Sequence, residues 1–122
     1  MTKTNDGHEA LFKTFVSAFL NKDLAQVAQC LAPQFEWRLP SGETYTGKEN
    51  ALAFMAKRFA DPYGPEFSGS SSFSFHGDTV IQTYCVQAMG ANGRRQSVAG
   101  LDVYKVEEGL IVRKDAYWKQ LT

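Results

Sequence analysis

Residues 95–106 read RQSVAGLDVYKV, and the reading of this stretch decides the fold. Apolar or small residues recur at every second position, the period of a β-strand with one face against a core. On such a strand Val98, Gly100, Asp102, Tyr104 and Val106 share a face. That face holds a single carboxyl, Asp102, among apolar or small neighbours. A carboxyl there is costly to ionise, so the position suits a neutral acid that gives a proton or a hydrogen bond. The opposite face carries Leu101 and Val103.

Working outward, Gly90-Ala91-Asn92-Gly93 reads as a hairpin turn leading back to a strand over Thr79–Met89. Gly77-Asp78 turns into a shorter strand over Ser72–His76, and Glu107-Glu108-Gly109 turns into a last strand over Leu110–Leu121. Long antiparallel strands of this kind twist and curve.

The N-terminal half has the helical period. Leu11, Phe12, Phe15, Val16 and Phe19 make one apolar face of a helix over Gly7–Asn21, with Asn5 or Asp6 as its cap. Asp23 with Gln26 announces a second helix, its inner face Leu24, Val27, Ala28 and Leu31, stopped by Pro33. Phe35–Leu39 is a short strand with Phe35, Trp37 and Leu39 on one face; Pro40, Ser41 and Gly42 turn the chain. A third helix follows Gly47, with Ala51, Leu52, Phe54, Met55 and Phe59 on its apolar side. The segment DPYGPEFSGSSS that follows is rich in breakers and reads as a mobile loop.

Helices first and strands after predict an α+β fold. Three N-terminal helices would pack on a curved, mainly antiparallel sheet to make a cone-shaped domain over residues 1–122, enclosing a pocket. Trp37, Phe54 and Trp118 are its candidate aromatic walls, and Cys85 and Gln87 its candidate polar points. Tyr117, with Tyr84 and Val86, would join Leu101 and Val103 on an exposed apolar sheet face, which predicts a twofold homodimer.

Composition narrows the partners. Thirteen basic and thirteen acidic residues cancel, so no basic field is present for nucleic acid. Neither a signal-like N-terminus nor a membrane-length apolar run is present, which predicts a cytoplasmic protein with no membrane partner. Cys30 and Cys85 have no metal or redox spacing and read as free, buried thiols. His8 and His76 do not make a metal site, so no metal and no cofactor are expected. A His76–Asp102 dyad is conceivable, though a histidine in a turn is usually only surface. Arg94-Arg95 reads as a solvated pair at a hairpin end.

Two segments carry a family resemblance: Leu101-Asp102-Val103-Tyr104 running into Glu108-Gly109 and Ile111, and Ala116-Tyr117-Trp118. With the order of elements, they resemble the nuclear-transport-factor-2-like superfamily, and within it the SnoaL-like proteins and bacterial ketosteroid isomerases. The resemblance places Asp102 where a protonated aspartate donates to an enolate oxygen, and Trp118 where an aromatic lines the pocket. It also puts Leu39, before Pro40, where the general base would stand, and Phe15 where a tyrosine would complete the oxyanion hole. The supporting tyrosines would fall near Leu31 and Met55. Steroid isomerisation by that route is therefore not expected. Epoxide hydrolases of the fold fit poorly too, with Ala116 in place of an acid and no arginine on Thr79–Met89.

Two readings stay open. One is a cofactor-independent isomerase, cyclase or lyase using Asp102 as a lone acid/base on a hydrophobic carbonyl compound, with Phe15, Leu39, Met55 and Gly100 among the pocket positions. The other is a non-catalytic dimeric module that binds a small apolar molecule.

Overall fold

A computed structural model describes residues 2–62, 64–89 and 93–120, with the side chains of all but 2–6 and 67–70 among them. The chain runs α1 (Thr2–Leu20), α2 (Leu24–Cys30), β1 (Leu31–Arg38), β2 (Thr44–Thr46), α3 (Lys48–Ala60), β3 (Glu66–His76), β4 (Thr79–Met89), β5 (Arg95–Glu107) and β6 (Leu110–Gln120). Among these residues the strands form one curved six-stranded sheet in the order β2-β1-β6-β5-β4-β3, with the helices packed against it. The sheet is mixed: β1 runs parallel to β6, and the other neighbours are antiparallel. The parallel pair is possible because the whole intervening chain forms the crossover.

The apolar face of α1 lies on the inner face of the sheet. Phe12 and Phe15 are buried, and their rings meet Tyr104 edge-on at 4.7 and 5.9 Å. Such contacts add to the burial of the rings themselves. Asp23 caps α2 by accepting from the Gln26 amide at 3.2 Å. Phe35 and Trp37 are buried on one side of β1, as their alternation requires, and Leu39, just past its end, is buried too. Met55 and Ala51 bring α3 into the same core.

Several boundaries differ from the sequence reading. Helix α1 begins at Thr2, so Asn5 and Asp6 lie inside it and do not cap it. Helix α2 ends at Cys30, and Pro33 lies within β1, which is longer than Phe35–Leu39. The helix gives way to extended backbone at Leu31, and Leu31 and Ala32 are buried as the first residues of β1. The short strand β2 has no period to reveal it; it pairs with β1 across the Pro40–Gly42 turn. Much of the expected mobile loop is strand: β3 starts at Glu66 and pairs with β4, with a register shift between Ser68 and Ser72. A long edge strand can carry glycine and serine when its neighbour supplies the hydrogen-bond ladder. The expected turn at Gly90-Ala91-Asn92 lies outside the described residues.

Candidate functional site

Strands β4, β5 and β6 place the polar groups of the inner face by register. Gln82 stands opposite Asp102, Tyr84 opposite Gly100, Asp102 opposite Ala116, and Tyr104 opposite Lys114. The two smallest residues of this patch, Gly100 and Ala116, lie beside Asp102, so longer side chains can converge on it. The close approach at Gly100 is strict, since a Cβ built there would overlap the Tyr84 ring.

Asp102 is 2% exposed and is the hub of a network. Tyr84 Oη donates to its Oδ1 at 2.7 Å, and Lys114 Nζ donates to its Oδ2 at 2.8 Å. Tyr104 Oη lies 3.3 Å from Oδ2 and 2.8 Å from Gln82 Oε1. A phenol has one proton, so Tyr104 serves one of these acceptors at a time. Trp118 Nε1 donates to Tyr84 Oη at 3.0 Å and extends the chain toward the end of β6. Lys114 is itself nearly buried, and its ammonium stands 5.0 Å from the Trp37 ring centre and 5.8 Å from that of Tyr104. The pair is thus desolvated, and aromatic faces supplement the carboxylate. Burial, then the charge of Asp102, pushes the Tyr84 and Tyr104 hydroxyls well above the ordinary phenol range. Both act as hydrogen-bond donors.

A cavity of about 250 Å³ opens onto this network. Its helical wall is Phe15, Val16, Phe19 and Leu20 of α1; its sheet wall includes Gln82, Tyr84, Asp102, Tyr104 and Lys114. One side is apolar, and the other carries an anion, a cation and two hydroxyls. A second depression of about 370 Å³ shares Phe19 and Leu20 and includes Arg58 and Asp61.

Among the sequence candidates, Asp102 and Phe15 line the cavity, and Cys85 borders it as an exposed residue. Gly100 lies beneath the Tyr84 ring, and Trp118 joins through its indole N–H. Trp37, Leu39, Phe54 and Met55 belong to the apolar core and do not border the cavity. Gln87 is on the other side of β4 from Tyr84 and donates to Ser97 at 2.9 Å. The inward residues of β4 are Val80, Gln82, Tyr84 and Val86, so the expected exposure of Tyr84 and Val86 is reversed. A one-residue slip in the assumed phase inverts every side chain.

The description of Asp102 as a lone acid is also corrected: its neighbours are all donors, and one is a cation. The phenols are present, supplied by Tyr84 and Tyr104 on the sheet and not from the helices. The sequence did hold a signal for Lys114, which lies on the same strand face as Ala116 and Trp118. His76 is exposed and bonds Ser74, away from Asp102. His8 is buried against Asp78 at 3.2 Å, and Arg95 pairs with Glu66 at 2.8 Å. Cys30 is buried, and Cys85 is not. Among the described residues no cluster of side chains suits a metal ion, and no helix is long and apolar enough to cross a membrane.

The fold defines a class: α+β domains in which three helices pack on a curved, mixed six-stranded sheet. The model of the SnoaL-like domain matches residues 12–114, and the chain belongs to that family. Solved structures of the same shape include a putative ketosteroid isomerase from Kribbella flavida, 18% identical, with a TM-score of 0.77 over 96% of this chain and 81% of that one. An NTF2-like protein of unknown function from Burkholderia pseudomallei is 20% identical, with a TM-score of 0.78 over 93% and 91%. An epoxide hydrolase of the LEH-like kind from M. tuberculosis is 15% identical, with a TM-score of 0.76 over 96% and 85%. At these identities the likeness is one of fold. No curated protein matches the sequence.

Proposed function

We propose that this protein is a cofactor-independent acid–base catalyst acting on a small, largely apolar carbonyl compound, with Asp102 as the proton-transfer group. The observation that carries this reading is the buried Asp102–Lys114 pair, 2.8 Å apart, with both residues bordering a cavity whose other wall is apolar. The Asp102 carboxylate takes a proton from the carbon next to the carbonyl. The electrons of the broken C–H bond move onto the carbonyl oxygen, where Lys114 has N–H donors beyond the one given to Asp102. In a carbonyl compound with a β,γ double bond, return of the proton to the γ carbon shifts the double bond into conjugation, completes an isomerisation and restores the carboxylate. Tyr84 and Tyr104 hold Asp102 in place.

The reaction tests itself in deuterated water. The protein should accelerate hydrogen–deuterium exchange next to the carbonyl of an enolisable aryl ketone such as butyrophenone, followed by NMR. Asp102→Asn should abolish the acceleration.

A second reading has one observation in its favour. Asp102 already accepts from up to three donors, which suits a fixed anchor in a non-catalytic binding module. Tight ketone binding with no exchange above the solution rate would establish that alternative. In either case we propose a homodimer through the outer sheet face, where Leu101 and Tyr117 are exposed around a shallow groove that includes Ala99.

A further inference from the structure

We infer that the ligand of this cavity carries a carboxylate, held by Arg58, at the end remote from its carbonyl. The inference rests on the cavity being a carbonyl site, as proposed above, and adds the substrate class: a short keto acid in place of a neutral ketone.

Arg58 lies in the second half of α3 and is only partly accessible. Its guanidinium carbon sits 5.9 Å from the Trp37 ring centre and 5.8 Å from that of Phe54. Those contacts are with ring faces and leave the in-plane N–H donors unused. Among the described residues, no hydrogen bond or ion pair reaches this guanidinium. Burial works against its charge, and the exposed carboxylate of Asp61 offsets part of the cost. A guanidinium keeps its charge in proteins, so the cost persists until an anion arrives.

The neighbourhood is short of acceptors in a second way. Trp37 Nε1 is buried and has no hydrogen-bond partner. Lys114, on the same indole, is matched by Asp102, whereas Arg58 has no such match. Among the described residues, the charged groups that face the two adjoining cavities and are not exposed are therefore Asp102, Lys114 and Arg58, with a net positive charge. The exposed groups at the rim, Lys22, Asp61 and Glu66, cancel in part, and Glu66 is engaged by Arg95.

Geometry connects the two ends. The cavity at Asp102 and the depression at Arg58 share Phe19 and Leu20, so one molecule lying along those side chains reaches both. Its ketone oxygen meets Lys114, its apolar middle covers Phe19, and its carboxylate meets the guanidinium as a forked pair.

The probes are 4-oxo-4-phenylbutanoate and its methyl ester, titrated against the full chain and followed by the fluorescence of Trp37 and Trp118. The acid should bind about tenfold or more tighter than the ester, the worth of one charge-assisted pair. Arg58→Gln should erase that preference while leaving ester affinity unchanged. In the unmutated protein the preference should shrink as sodium chloride is raised, and equal binding of acid and ester there overturns the inference even where Arg58→Gln does not fold. Asp61→Asn should leave the preference in place or enlarge it. Equal binding of acid and ester, or a preference that survives Arg58→Gln, overturns the inference and leaves the carbonyl site standing. Binding of neither probe brings down the site and the inference together.

Discussion

Asp102 and Lys114 form a buried ion pair whose value depends on both members being present. Their side chains are 3% and 9% exposed. Lys114→Met should destabilise the fold by about 3–5 kcal/mol, because it leaves a buried carboxylate with phenols alone. Adding Asp102→Asn to that variant should recover much of the loss, and urea midpoints for the four proteins of the cycle measure it. Equal and additive losses would show that the pair is not coupled. Gly100→Ala is a sharper probe of position. Its methyl group must displace the Tyr84 ring, so it should cost about 1–3 kcal/mol and weaken the Tyr84–Asp102 hydrogen bond. Asp102 itself was legible in the sequence as an inward carboxyl. Its partners were less so, because Tyr84, eighteen positions earlier, reaches it only through strand register.

At the scale of elements, β4 and β5 act as a unit, since each inward tyrosine of one strand bonds an inward polar group of the pair. Tyr84 and Tyr104 make stability depend on alkaline pH. In the unfolded chain a tyrosine titrates near 10.0, while in the fold both are raised, by burial first and then by Asp102. Above that pH the folded state therefore holds more protons than the unfolded state, and stability falls as pH rises; below it the contribution is fully present. Tyr84→Phe and Tyr104→Phe should each flatten the decline in urea midpoint between neutral and strongly alkaline solution. An unchanged slope in both would contradict the placement of the hydroxyls. The strands β4, β5 and β6 were readable from their alternation. The phase of β4 was not, since Thr79–Met89 carries apolar residues on both faces. The Ser72–His76 end of β3 was read as strand, but its first half was hidden because glycine and serine have weak strand propensity, and here pairing with β4 overrides it.

At the scale of the whole molecule, the outer sheet face predicts association. Leu101 is 37% and Tyr117 55% exposed, on adjacent strands in direct register. Sedimentation equilibrium at micromolar concentration should show a dimer, and Leu101→Asp should shift it to a 13.6 kDa monomer. A monomer before the substitution would rule the dimer out. By itself the sequence determined the class of the fold, the inward face of β5 and the presence of Asp102 on it, because these follow from periodicity, which is local. Tertiary structure alone decided that β1 runs parallel to β6, that Tyr84, Tyr104 and Lys114 converge on Asp102, and that Arg58 lines a depression sharing Phe19 and Leu20 with the cavity there. Those facts depend on which strands become neighbours and in what register. Contacts between distant positions set that arrangement, and no run of residues records it.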